Sequence, residues 1–397
     1  MSLLKIAVVS ETYPPEVNGV AMTLQRMVGG MLARGHQLHL IRPRQAGEIQ
    51  AAPFEYFQET LVPGIPLPGY RGLRFGLPLR RRLQRLWQED RPDVVQVVTE
   101  GPLGAAAIGA ACRLRIPVLS EFHTNFHAYS RHYGVGWLAP LIAAHLRRLH
   151  NRGDLTLVPT HSLADELAAD GYRRLRVVAR GIDTRLFNPG RRSRELRRSW
   201  GVGDGDLVAV CVGRVAAEKN LPLAFEALAK IRRQQPKARL LLVGDGPLLR
   251  KLSARSDAAQ AIFVGVRHAA DLAQHYASAD LFLFPSLTET FGNVVPEALA
   301  SGLPVVAYHC AAAADLIHQG DNGRTVPAGD SLAFIEAAVA LATGLPDQSG
   351  RRWDISDSVA HLDWEQIYDR QVEELKLAMR YNARAKGGAD SYRLLPD

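Results

Sequence analysis

Cysteine is scarce in this chain: Cys112, Cys211 and Cys310 are the only three in 397 residues. They are far apart and odd in number, which argues against a disulfide scaffold and against zinc, and fits reduced thiols in the cytosol. Long apolar runs are also missing. No stretch of about 18 apolar residues occurs, so no membrane-spanning helix is expected. The first nine residues enter a short apolar run at once, without a basic-then-apolar leader, so secretion is not expected. Low-complexity tracts and short-period repeats are lacking. What is present is 47% hydrophobic and 22% charged residues, enough to bury a sizeable core. The length predicts two or three domains. The formal net charge is +8, from 48 Lys plus Arg against 40 Asp plus Glu. That excess admits nucleic acid, an anionic membrane or a phosphorylated substrate as partner and selects none of them.

A short β-branched run, a turn and a helical stretch alternate along the chain. This rhythm predicts an α/β protein with parallel sheets covered by helices on both faces. Strands are expected at Lys5–Ser10, Gln37–Arg42, Asp93–Val98, Pro117–Glu121, Leu155–Pro159 and Leu175–Ala179. Their near-continuous hydrophobicity suits strands buried on both sides. The polar, basic segment Asp183–Arg198, centred on Asn188-Pro189-Gly190, breaks the rhythm and reads as a boundary. Strands then resume at Leu207–Val212, Arg239–Val243, Ala261–Val264, Leu281–Phe284 and Val305–Tyr308. The expectation is two doubly wound, Rossmann-like domains facing each other across a cleft, residues 1–185 and 186–355. A helix within 356–382 is expected to pack back on the first domain, ahead of a loosely held tail, 383–397.

Ligands of open α/β sheets sit beyond the carboxyl ends of the strands, so the loops there are the candidate site. After the first strand comes Ser10–Val20. It lacks the glycine spacing of a dinucleotide fingerprint, but Asn18-Gly19 lets the backbone turn closely into a helix whose free N–H groups suit anions or sugar hydroxyls. After Pro117–Glu121 comes a polar cluster, Phe122 to His127, with His123 at the strand end. Metal binding by His123 and His127 would need a third ligand. In Gly213-Arg214-Val215-Ala216-Ala217-Glu218-Lys219, Arg214 can fork onto phosphate oxygens and Lys219 adds a point charge. The alternative is that both are surface charges paired with Glu218. Gly244-Asp245-Gly246 reads as close-packing turn chemistry. Finally, Glu289 and Glu297 flank Phe291-Gly292-Asn293. Eight helical residues span roughly 12 Å, too far for a hydrolase pair unless the loop folds back, but suited to two ends of one extended ligand. Backbone N–H groups at Phe291-Gly292-Asn293 can add anion contacts. A carboxylate accepts hydrogen bonds from the vicinal hydroxyls of a ribose.

Together, Glu289-x7-Glu297 in its Pro-Ser, Phe-Gly and Glu-Ala context, preceded by Gly213-Arg214 and Glu218-Lys219, resembles the retaining glycosyltransferases of the GT-B fold, family 4. Arg180-Gly181-Ile182-Asp183 and Phe187-x-Pro189 fit the same pattern. The resemblance implies a hexosyltransferase in which Arg214 and Lys219 hold a diphosphate, Glu297 the ribose hydroxyls and Glu289 the transferred sugar. His123 would lie near the reacting sugar, and Asn18 and Gly19 over the diphosphate and sugar. A nucleotide sugar is then a co-substrate, and neither cofactor nor metal is expected. Asn18 stands where the family usually has glycine, and the change is expected to be mild because Asn tolerates left-handed backbone. Ala311–Asp315 replaces a glycine-rich, Pro-Glu-bearing loop, which leaves the sugar contacts there unassigned.

The family includes lipid-directed mannosyltransferases and sulfolipid synthases. The reading is therefore transfer of mannose from GDP-mannose to a lipid-linked or membrane-proximal acceptor. Basic, amphipathic stretches at Tyr70–Glu89 (Arg71, Arg74, Arg80, Arg81, Arg82, Arg85) and Trp137–Leu149 are expected to touch anionic lipid from the cytoplasmic side, or else to be surface helices with their apolar sides on the core. Alternatives are a UDP-sugar-dependent glucosyl or sulfoquinovosyl glycolipid synthase, an epimerase on the same fold, or a non-enzymatic basic binding protein. No recognisable motif supports nucleic acid as a partner.

Overall fold

The computed structural model describes residues 3–16, 18–45, 47–48, 52–66, 74–122, 139–344 and 349–387. The chain divides into two compact units. Unit 1 comprises 1–159, 163–179 and 365–397; unit 2 comprises 160–162 and 180–364.

Unit 1 is built on β1 (Lys5–Val9), β2 (Gln37–Pro43), β3 (Phe57–Val62), β4 (Gly64–Pro66), β5 (Arg74–Gly76), β6 (Val94–Val97), β7 (Val118–Glu121), β8 (Leu155–Val158) and β9 (Leu175–Val177). Seven of these form one sheet in the order β3-β2-β1-β6-β7-β8-β9, with every neighbouring pair parallel. Strands β4 and β5 make a separate antiparallel ribbon. Unit 2 contains β10 (Val208–Val212), β11 (Arg239–Val243), β12 (Ala261–Gly265), β13 (Leu281–Phe284), β14 (Val305–Tyr308) and β15 (Gly323–Val326). Its all-parallel order is β12-β11-β10-β13-β14-β15. Both units are thus Rossmann-like. In each, the strand order reverses beside the first strand, between β1 and β6 and between β10 and β13, where such sheets open a ligand crevice.

The central strands are almost wholly buried, as their unbroken apolar runs require. Val94, Val208, Leu240, Leu281 and Val305 are all at 0% exposure. Edge strands β3 and β15 were not expected from the sequence. Phe57–Val62 is half polar and only partly covered, and Gly323–Val326 contains Arg324. An edge strand needs no two-sided apolar signal.

The segment expected to be a boundary, 183–198, carries a 3-10 turn at Pro189–Arg191 and a helix at Arg194–Ser199, capped by the Ser193 hydroxyl. Ala311–Asp315 is also helical, within Ala311–Leu316. The last helix, Trp364–Gly387, runs further than expected, into 383–397. From Glu365 onward it counts with unit 1. Its Tyr368 ring fills the space where a Cβ on Gly30 would come within 2.3 Å, and Arg34 bonds Glu365 and Asp369 at 2.9 Å.

Candidate functional site

The site in unit 2 starts from two loops that flank the strand-order reversal. Strand β10 leads into Gly213, whose φ of +142° is open to glycine and strained for other residues. Its N–H bonds Val243 O at 3.0 Å, and Val215 N–H bonds Asp245 O at 2.9 Å. The next strand end comes so close that a Cβ on Gly244 would sit 1.9 Å from Gly213 O, and one on Gly246 would sit 2.4 Å from Val215 O. The Gly-Asp-Gly turn is therefore a backbone seam that fixes the position of Arg214. After a 3-10 turn, Ala217–Lys219, Asn220 in left-handed conformation starts the helix Leu221–Ile231.

The second loop follows β13. Its Leu287 N–H bonds Glu218 O at 2.9 Å, which ties it to the first. The Lys219 ammonium is ion-paired with Glu289 and lies 5.5 Å above the Phe284 ring. The buried Ser286 hydroxyl donates to the same carboxylate at 2.7 Å. Residues 70 apart in sequence are thus paired across the β10/β13 reversal. Lys219 does not pair with Glu218, the alternative left open by the sequence. Arg214 is different: its side chain is 68% exposed, and its one ion contact among the described residues is a long 3.9 Å to Glu218. A small pocket at these strand ends is lined by Gly213, Arg214, Lys219, Phe284 and Pro285.

Glu297 lies in the helix Val294–Ala300, which begins only after Gly292 turns the chain at φ +84°. The loop from Glu289 to Asn293 is not helical, so the 12 Å helical span does not apply. Phe291 is buried under Arg180, 5.8 Å away, while Asn293 is exposed. The Tyr276 hydroxyl donates to Glu297 Oε2 at 3.0 Å. Burial pushes this carboxyl up to about 7, with the tyrosine hydrogen bond acting against the shift. Glu297 is half-buried, and no other hydrogen bond reaches its carboxyl among the described residues. A carboxylate with a spare oxygen can take further donors.

In unit 1, Asn18 is in extended backbone, φ −148°, and not left-handed. Asparagine is explained there by capping: its Oδ1 accepts Ala21 N–H at 2.9 Å, starting the helix Gly19–Ala33, and its Nδ2 donates to Thr12 Oγ1 at 2.7 Å. Gly19 is exposed at the first turn. Sequence reasoning missed Glu11. Its carboxylate accepts Leu103 N–H at 2.8 Å and also Gly76 N–H, and burial pushes it up to about 7. Its one sequence signal was an acid directly after the first strand. His123 and its neighbours Asn125 and His127 lie outside the described residues, as do Tyr70, Arg71 and Trp137.

Among the described residues, no group of three or more His, Cys, Asp or Glu could hold a metal. Asp204-Gly205-Asp206 does have Asp-x-Asp spacing, but it precedes β10, at the strand end opposite Gly213. Its carboxylates are engaged by Arg194 at 3.0 Å and by Gly203 N–H at 2.7 Å.

Residues 17–186 match the family model described as Glycosyltransferase Family 4, and 206–343 match the one described as Glycosyl transferases group 1. A GDP-mannose-dependent alpha-mannosyltransferase of Corynebacterium glutamicum is 32% identical over 94% of this chain and 86% of its own length. The chain belongs to this glycosyltransferase family. The glycosyltransferase is also 34% identical to a protein of the same description from Mycobacterium tuberculosis, over 85% of this chain and 87% of that one. An alpha-monoglucosyldiacylglycerol synthase of Streptococcus pneumoniae is 27% identical over 77% and 71% of the two lengths. Among solved structures, Anabaena Alr3699/HepE in complex with UDP and glucose aligns with a TM-score of 0.69 at 20% identity, covering 94% of this chain and 100% of that one. That likeness shows the GT-B fold. The motif residues of this hexosyltransferase, Arg214, Lys219, Glu289 and Glu297, all lie in unit 2 on elements that border the strand-order reversal.

Proposed function

We propose that the glycosyltransferase moves mannose from GDP-mannose to a hydroxyl of a lipid-linked or membrane-proximal acceptor, with retention of anomeric configuration. The observation that carries this reading is the pairing of Lys219 with Glu289 across the reversal, with Glu297 holding an unused oxygen on the following helix. Departure of a nucleoside diphosphate builds negative charge on the leaving group. Lys219, released from Glu289, and the exposed Arg214 supply compensating cations. Glu289 is then free to accept the hydroxyls of the transferred sugar, and Glu297 those of the ribose. These side chains do this work without a metal, so chelator should leave turnover unchanged.

The relatives' names support the donor and the acceptor class. The acceptor also fits helix Arg80–Glu89. Its Leu83 and Trp87 are buried in unit 1, so the apolar face is spent on the core. Arg80, Arg81, Arg82 and Arg85 remain exposed and offer a charge contact with an anionic cytoplasmic leaflet. Contact is then electrostatic and salt-sensitive, not insertive. No helix among the described residues is long and apolar enough to cross a membrane. The glucosyl relative, with the solved neighbour bound to UDP and glucose, favours one second reading, a UDP-sugar donor.

Thermal unfolding with GDP, GDP-mannose, UDP and UDP-glucose separates the two, because a ligand of the folded state raises the midpoint. Protection by the guanosine pair, followed by a hexose mass increment on a lipid from membrane extract, is expected. Protection by the uridine pair alone would replace the donor, and no protection by either would remove the reading.

A further inference from the structure

Tyr276 is wholly buried in the helix Ala269–Ser278. Its ring is held edge-on by Phe187, with centroids 5.8 Å apart, and is packed at the same distance by Phe282. A phenol locked on both sides cannot swing away. Its hydroxyl meets Glu297 Oε2 at 3.0 Å. Both residues sit outside the Lys219–Glu289 pair, and the mechanism above uses only the carboxylate. We infer that Tyr276 is a positioning residue: its hydroxyl occupies Oε2, aims Oε1 at the ribose diol and keeps the carboxyl an acceptor. This rests on the reading of Glu297 as the ribose ligand.

Burial favours the neutral carboxylic acid, and a neutral acid is a poor partner for two hydroxyl donors. The phenol works against that preference because it donates to the charged form. Burial and the nearby carboxylate hold the phenol well above its ordinary value, so it remains a donor throughout the neutral range. The other titratable groups on the packed helices are engaged elsewhere. His275 bonds Asp271 O at 2.7 Å, and Asp315 accepts His161 N–H at 2.7 Å. Arg352 on Ser349–Asp357 bonds the carbonyls of Ala277 and Ala279 at 2.6 and 3.0 Å. On β14, Tyr308 OH makes no hydrogen bond. Among the described residues, Tyr276 alone reaches the Glu297 carboxyl.

The test is Tyr276→Phe, which keeps the ring and its packing and removes only the oxygen. Calorimetric dissociation constants for GDP and UDP are measured between pH 6 and 9 on the full chain, with 2′,3′-dideoxy nucleoside diphosphates in parallel. Losing a hydrogen bond to a charged group should weaken the ribonucleotide about tenfold near pH 7. The gap should close toward pH 9, where the carboxyl ionises without help. The dideoxy probe should bind Tyr276→Phe and wild type alike, a difference that simple loosening of the core would not produce. Glu297→Gln separates the two levels. Equal ribose preference in Glu297→Gln and wild type would remove the reading of Glu297, and the inference with it. If Glu297→Gln loses that preference while Tyr276→Phe matches wild type at every pH, the site stands and the role of Tyr276 falls.

Discussion

Each unit holds a carboxyl with a raised pKa beside its strand-order reversal, and the two have opposite uses. Glu11 follows β1 and Glu297 follows β13, and burial pushes both up to about 7. Glu11 is saturated by backbone donors: Leu103 and Gly76 take its two oxygens, and its own N–H bonds Thr99 Oγ1 at 2.7 Å. It thereby caps the helix Pro102–Leu114, whose N-cap residue, Gly101, brings no capping side chain. A Cβ on Gly101 would come within 2.2 Å of that carboxylate, so the cap is tightly enclosed. Glu297 receives one hydroxyl and keeps an oxygen spare. A perturbed carboxyl therefore does not by itself mark a site. Unused acceptor capacity separates a structural acid from one able to take a ligand.

That contrast can be broken from either side. The largest effect should come from Lys219→Ala and Glu297→Ala, each lowering kcat/KM for transfer about a hundredfold or more while the protein remains folded. Wild-type turnover in both would remove the assignment. Glu11→Ala should do the reverse, costing about 2–4 kcal/mol of unfolding free energy by stranding two buried N–H groups, with nucleotide affinity retained. Denaturant titration beside calorimetry checks both halves.

The two acids also predict different pH behaviour. Glu11 holds its proton more tightly folded than unfolded, so its contribution to stability is fully present below about 4.5 and is lost as pH rises through about 7. Glu11→Gln should flatten that part of the stability profile. Glu297 should show instead in affinity, with nucleotide binding weakening as pH falls through about 7. The smallest expected change is Asn18→Ala, which removes a helix cap for about 1 kcal/mol. Asn18→Ser should restore it, and a glycine-like backbone role would predict the opposite order for Asn18→Gly and Asn18→Ser.

The parallel strands were legible because a strand covered on both faces must be apolar throughout, as in Val208–Val212 and Leu281–Phe284. Strand β3 escaped because an edge is half wet, and helix Ala311–Leu316 because a run of alanines lacks an amphipathic pattern. The acidic pair in the Glu289-x7-Glu297 segment was visible as residue types at a spacing. Glu11 was not, because its partners are backbone N–H groups of Gly76 and Leu103, which carry no side-chain signature.

The amino-acid order alone determined the α/β alternation and which cationic and acidic side chains stand at strand ends, since those follow from local periodicity and turn chemistry. Tertiary structure decided that Lys219 meets Glu289 and that Tyr276 meets Glu297. Those meetings depend on β10 lying beside β13 and on how helices pack over them, and strand order is set by long-range burial that no local window contains.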